Sequence, residues 1–262
     1  GYWYHDLREG TADGETVASK YSPHINTSQG STNHVRVIAL EDVGWLFING
    51  NYIAELDLSG GVETGDAAVI GSWFRGHQYA GETTGFEGFT VRSLQTVYGP
   101  EAGAIDHNPD DGDMDAHKST AWLADAVVEG RFVNPYPTSG EGWSPGFLLR
   151  AQGNTVHIIG IDNSGYWNHY VGTGTMESRK QMQYTSSKHI ATSPSGSNSL
   201  RVIALGDEGW FFINGAYVAE LDLSGWALQG RIGAMHNYYS DHGIAGKSTK
   251  FDGFVVWSVG TE

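Results

Sequence analysis

Residues 199–226, SLRVIALGDEGWFFINGAYVAELDLSGW, lie on residues 34–61, HVRVIALEDVGWLFINGNYIAELDLSGG, at a constant offset of 165, with 20 of 28 positions identical. Each copy reads as a three-stranded meander. Val35 to Leu40 is a β-branched run, Glu41 to Gly44 a turn, Trp45 to Ile48 a second run, and Asn49-Gly50 a two-residue link to Tyr52 to Leu56. Asn-Gly between apolar runs predicts a tight hairpin, because both residues tolerate the positive φ of a type I′ turn. Asn214-Gly215 repeats that link. Alternation through Arg201–Leu205 and Tyr217–Leu221 gives each strand one inner and one outer face, and Trp45 and Trp210 are expected to pack inside.

The repeat extends beyond this block. GYWYH at Gly1 returns as GYWNH at Gly165, HINTS at His24 as HIATS at His189, and GFEGFTVRSL at Gly85 as KFDGFVVWSV at Lys250. Residues 1–98 therefore match only the later part of a copy that needs 99–262 to be complete. Two later halves and one earlier half cannot be balanced by exchange between identical chains. The expectation is a missing half that lies upstream in a longer polypeptide, comes from another chain, or is dispensable. An open sheet edge would recruit such a partner, and head-to-tail contact between copies of the protein would propagate as a filament.

Further strands are predicted at Ala126–Phe132, Gly146–Arg150, Val156–Asp162, Gly230–Met235 and Gly253–Val259, separated by turns rich in Gly, Pro, Asn and Ser. With 37 Gly, 12% aromatic residues and 17% charged residues, the chain suits a turn-rich β-protein. About ten strands without a helix predict an all-β fold, an antiparallel jelly-roll β-sandwich repeated in tandem with an incomplete first copy.

WSPGFLLR, HIIGIDNSGYW, LRVIALGDEGWFFINGAYVAELDL and the closing KFDGFVVWSV together resemble the concanavalin A-like jelly-roll superfamily of lectins and glucanases. Within it they are most similar to laminin-G-like and keto-disaccharide-hydrolase-like sandwiches of secreted bacterial proteins. The resemblance implies an extracellular or cell-surface location. It does not choose among lectins, glycosidases and structural repeats, which share the fold.

A formal charge of −15 repels phosphate backbones and argues against nucleic acid as partner. No Cys is present, which excludes disulfides and thiolate metal sites. No stretch approaches the roughly 20 apolar residues of a membrane-spanning helix.

Some members of the superfamily carry alternating acidic residues on one strand, and glycoside hydrolysis needs two carboxylates across the sugar bond. The nearest matches are Glu55/Asp57 and Glu220/Asp222, but the next position on that face is Ser59 or Ser224, so the third acidic residue is missing. The stretch from Asp106 to Asp115 offers Asp106, Asn108, Asp110, Asp113 and Asp115 as oxygen ligands, making calcium the one cofactor candidate. His5/His169, His24/His189 and His77/His242 recur in register, which reflects shared ancestry of the copies more than a metal site. Sugar rings stack on flat aromatic side chains, and the candidate platforms are Trp73, Phe74, Tyr238, Tyr239, Trp3 and Trp167. The favoured function is a non-catalytic extracellular structural or adhesive module. Carbohydrate binding is the alternative, and hydrolysis of a glycoside or keto-disaccharide a third reading.

Overall fold

The structure is a computed structural model that describes residues 1–7, 15–60, 67–70, 83–107, 114–136, 142–172, 178–237 and 246–260. It divides into two compact units, Gly1–Val91 and Arg92–Glu262. All regular elements among the described residues are strands, as the turn-rich composition predicts.

The first unit contains β1 (Tyr2–Leu7), β2 (Glu15–Tyr21), β3 (Val35–Leu40), β4 (Val43–Ile48) and β5 (Asn51–Asp57). β1 pairs with β2, and β3-β4-β5 form a separate three-stranded sheet. The second unit contains β6 (Leu94–Asp106), β7 (Met114–Leu123), β8 (Ala126–Val133), β9 (Ser144–Gln152), β10 (Thr155–Ile161) and β11 (Tyr166–Gly172). Its remaining strands are β12 (Lys180–Ser186), β13 (Ser197–Leu205), β14 (Glu208–Ile213), β15 (Ala216–Asp222), β16 (Gly230–Asn237) and β17 (Ser248–Val259). These twelve strands form two antiparallel six-stranded sheets, ordered β12-β11-β10-β9-β16-β7 and β15-β14-β13-β8-β17-β6.

The two sheets enclose one core. Phe147, Leu149, Ile159, Ile161, Trp167 and Ala234 of the first meet Val128, Phe132, Val202, Phe211, Phe254 and Val256 of the second. Phe147 stacks on Phe254 at 6.2 Å between ring centroids, and Trp167 meets Phe211 at 5.8 Å. Period-two alternation produces this arrangement, because every second side chain on each strand faces the opposing sheet.

Both Asn-Gly links are hairpin turns with positive φ, 53° and 80° at Asn49-Gly50 and 52° and 80° at Asn214-Gly215. Hairpin propensity does not reveal what the asparagine side chain does. Asn214 Oδ1 accepts the Ser199 N–H at 2.8 Å, and its Nδ2 donates to His189 O at 2.8 Å and to Asn198 Oδ1 at 2.9 Å. Asn49 makes the equivalent bonds to His34 N, His24 O and Asn33 Oδ1 at 2.8, 2.7 and 3.0 Å. The turn therefore anchors the loop that carries HINTS or HIATS. Asn214→Ala removes three bonds and places a Cβ-branchless but non-Gly residue at positive φ, and is expected to destabilise the second unit by about 2 kcal/mol. Asn214→Gly keeps the backbone and loses only the bonds, so chemical denaturation should rank it between wild type and Ala.

β6 starts at Leu94, and Leu94 pairs with Val259, its own counterpart in the repeat. One expectation differs from the structure. Trp45 and Trp210 are fully buried, yet their neighbours Leu46 and Phe211 belong to the inward-facing cores, so alternation turns both tryptophans to the opposite face of their sheets.

Candidate functional site

Alternation leaves Gly146, Leu148, Ile158, Gly160, Tyr166, Asn168, Tyr170, Met235 and Asn237 on the outer face of the sheet β12-β11-β10-β9-β16-β7. Outer faces of sandwiches are usually polar and wet. Here Leu148, Val156, Ile158 and Met235 form a buried apolar cluster, with Tyr170, Met114 and Ala116 packed on it. Gly160 pairs directly with Gly146 and with Asn168. A Cβ at Gly146 would stand 2.1 Å from Ile159 O and 2.8 Å from Met235 Cε, and one at Gly160 would stand 2.7 Å from Pro145 O, so this part of the face is closed to side chains.

Asn168 lies beside these glycines, fully buried, and neither its Oδ1 nor its Nδ2 has a hydrogen-bond partner. A buried primary amide without partners costs several kcal/mol on the order of 2–4. It lies next to Tyr184 across the β11–β12 register. Tyr184 stacks on Tyr166 with centroids 4.7 Å apart and planes inclined by 5°, and both rings remain more than a third exposed. The turn DNSG sets this pair: Asp162 Oδ1 accepts the N–H groups of Ser164 and Tyr166 at 2.9 and 3.0 Å, while its Oδ2 accepts the Tyr184 hydroxyl at 3.0 Å. Across the face, Arg179 Nη1 donates to Asn237 Oδ1 at 2.9 Å. Burial, followed by the charge of Asp162, raises the Tyr170 hydroxyl above the ordinary phenol value, so it stays protonated and able to donate. The exposed part of this face is the aromatic pair, with Arg179 and Tyr170 half-buried, while Leu148, Ile158, Met235 and the Asn168 amide are buried.

The sequence-predicted residues fall elsewhere or outside view. Trp3 and Trp167 are both buried, Trp3 with Leu46, Ile48 and Leu56 and Trp167 within the sandwich core, so neither offers a free ring face. Trp73, Phe74, Tyr238 and Tyr239 lie outside the described residues, although Asn237 directly precedes Tyr238. Of the calcium candidates, Asp106 and Asp115 line one cleft of about 200 Å³ together with Ala104, Ile105, Ala116 and His117. Asn108, Asp110 and Asp113 lie outside the described residues, among which no cluster of three His, Cys, Asp or Glu side chains suits a metal ion.

Glu220 and Asp222 share the exposed face of β15, as alternation predicts. Asp222 Oδ1 accepts the Ser224 N–H at 3.0 Å and the Ser224 hydroxyl at 2.6 Å, which holds its carboxyl below the usual range. Asp57 and Ser59 repeat those distances. Each aspartate therefore caps a turn at a strand end.

Histidine pairs are the feature the sequence reading missed. His107 stacks on His236 at 3.9 Å and contacts Tyr136 Oη and Thr249 Oγ1 at 3.0 and 2.9 Å, while His236 Nε2 accepts the Ser144 N–H at 3.2 Å. His157 Nδ1 lies 3.1 Å from His169 Nε2. Burial pushes His107 and His157 down to about 4 and His169 to about 3. At the β6/β7 edge, Tyr98 donates to Glu101, and His117 Nε2 lies 3.0 Å from the Tyr98 hydroxyl and 3.1 Å from Glu101 Oε2. Among the described in-register histidines, only His169 joins a pair.

No family model matches the chain, and no curated protein matches it. Solved structures are similar in outline. One is carbohydrate-binding module CBM66 from Bacillus subtilis, at 13% identity and a TM-score of 0.46, covering 63% of this chain and 95% of the module. An endo-β-1,3-glucanase from Pyrococcus furiosus shows 11% identity and a TM-score of 0.42 over 62% of this chain and 75% of the enzyme. A fructosyltransferase from A. japonicus shows 11% identity and a TM-score of 0.43 over 64% of this chain, which spans about a quarter (26%) of the enzyme's length. These similarities are distant and concern the outline of the β-sandwich alone.

Proposed function

We propose that the second unit is an extracellular carbohydrate-binding module that holds glycan on the outer face of the sheet β12-β11-β10-β9-β16-β7. The observation that carries this reading is the stacked Tyr166/Tyr184 pair, which stays more than a third exposed and is held by Asp162. The Tyr166/Tyr184 pair presents aromatic surface to apolar C–H faces of a neighbouring ring. A neutral glycan also incurs no repulsion from the −15 charge of the chain.

A glycan array probed with the intact chain should show binding to a defined set of neutral oligosaccharides. Tyr184→Ala should weaken that binding about tenfold or more, corresponding to about 1.4 kcal/mol, while circular dichroism stays unchanged. Tyr166→Phe should have little effect, since its ring is retained. Absence of binding to any glycan, or full binding by Tyr184→Ala, eliminates this assignment.

A further inference from the structure

At the β7 end of the same sheet, an exposed tryptophan lies beside two cations. Ser119 and Ala121 are buried, so alternation turns Lys118 and Trp122 of β7 outward. Trp122 is 46% exposed on the edge strand of its sheet. Its direct neighbour across the register is Arg231 of β16, also exposed and turned outward, because Ile232 after it enters the core. Among the described residues, no ion pair or side-chain hydrogen bond engages Lys118 or Arg231.

A bulge brings these groups together. Arg231 faces Trp122 and Gly233 faces Lys118, so Ser119, Thr120 and Ala121 oppose the single residue Ile232. Four residues of regular strand would separate Lys118 from Trp122 by about 13 Å, whereas the two positions of β16 that they face are only about 7 Å apart. Ser119 fixes the bulge: its Oγ donates to Ile232 O at 2.8 Å and accepts the Ala121 N–H at 3.2 Å. On the other flank of β16, Leu149 and Arg150 likewise oppose Ile232. Bulges of this kind re-aim side chains. A Cβ at Gly233 would stand 2.8 Å from His117 O, so Trp122, Arg231 and Lys118 are grouped around a position that must lack a side chain.

The charge of this face is opposite to that of the chain, which has 30 acidic and 15 basic residues. β9, β10 and β16 contain no Asp or Glu, and the one carboxylate of β7, Asp115, lines the cleft with Asp106 of the opposite sheet. Charges beyond about 8 Å are largely screened at physiological salt, so the two local cations outweigh the total of −15 for a ligand seated here.

We propose that Trp122, Arg231 and Lys118 form a second glycan subsite, selective for a sugar that carries a carboxylate. The indole would stack on the apolar C–H face of the ring, the Arg231 guanidinium would take the carboxylate through two parallel bonds, and the Lys118 ammonium would add a point charge. This deepens the carbohydrate reading of the sheet and rests on it, but the two platforms share no residue, so each can fail without the other.

The test is isothermal titration of the intact chain with tetrasaccharides of galacturonate, guluronate and glucuronate, beside the methyl ester of each and a hexaglutamate peptide. At least one carboxylated tetrasaccharide should bind saturably, and its methyl ester, which keeps the rings and removes the charge, at least tenfold more weakly. Trp122→Ala and Arg231→Ala should each weaken that binding at least tenfold with urea midpoints unchanged, and Arg231→Lys should lose less than Arg231→Ala. Tyr184→Ala should leave it intact, just as Trp122→Ala should leave binding of neutral glycans intact. Four results would overturn the inference: no carboxylated tetrasaccharide binds, the methyl ester binds equally well, hexaglutamate binds as tightly as the sugar, or binding survives Trp122→Ala. Neutral-glycan binding that is lost in Tyr184→Ala would then still uphold the Tyr166/Tyr184 platform alone.

Discussion

Phe254→Ala lowers the stability of the second unit by about 3–5 kcal/mol, and Phe89→Ala, the same change at the same place in the repeat, costs the first unit no more than about 0.5 kcal/mol. The contrast comes from surroundings and not from residue type. Phe254 is fully buried, 6.2 Å from Phe147 and 6.0 Å from Phe251 in a core drawn from both sheets, and truncation leaves a cavity that packed rings cannot close. Phe89 is half exposed and lies outside any strand. Hydrogen exchange under increasing urea, followed separately for amides of β13–β14 and β3–β4, distinguishes the two units. Equal costs would mean that Phe89 is covered as Phe254 is, and the contrast in surroundings would have to be abandoned.

The meander and the strand positions were legible because they depend on local rules. Val43–Ile48 and Asn51–Asp57 form at the predicted runs, and positive φ occurs at both predicted turns. The candidate site was not legible. Gly146, Gly160 and Asn168 come from three strands whose alignment depends on register, and no spacing in the chain brings them together. Aromatic content alone pointed to Trp167, which alternation turns inward, and passed over Tyr166, one residue earlier, which alternation turns outward. Arg150 was equally silent: its guanidinium, buried at positive φ, donates to the carbonyls of Ala124 and Leu223 at 3.0 and 3.4 Å and reaches Gly206 O at 2.5 Å, linking β9 to turns that sequence spacing leaves unrelated. The alignment of His5 with His169 was read as ancestry alone. The role of His169 depends on His157 of the neighbouring strand β10, a contact set by register and not by spacing.

That buried pair, together with His107 and His236, makes the second unit sensitive to acid well above the carboxylate range. Burial is the principal cause of each depressed value, and the neighbouring histidine adds to it for His169 and His236. An unfolded histidine takes up its proton near pH 6.5, whereas folded His157 does so only at about 4 and His169 at about 3. Below pH 6.5 the unfolded chain therefore binds more protons, and stability falls as pH falls, levelling off only below the folded values. At pH 4 one such histidine accounts for a loss on the order of 3 kcal/mol, at about 1.4 kcal/mol per pH unit. Neutralising part of the −15 charge relieves repulsion over the same range and acts in the opposite direction. Those charges are mostly on the surface and screened within about 10 Å at 0.1 M salt, so the buried imidazoles dominate. Urea midpoints for the second unit should drop steadily from pH 7 to pH 4.5. In the double variant His157→Leu, His169→Leu, both partners of the 3.1 Å contact are replaced by apolar side chains, so stability at pH 7 should change by only about 1 kcal/mol. The slope between pH 6.5 and 4.5 should fall by about half, leaving the contribution of His107 and His236. A midpoint that stays level from pH 7 to pH 4.5 in the wild-type chain would show that these imidazoles are protonated in the folded state, and the buried, neutral pairs would have to be abandoned.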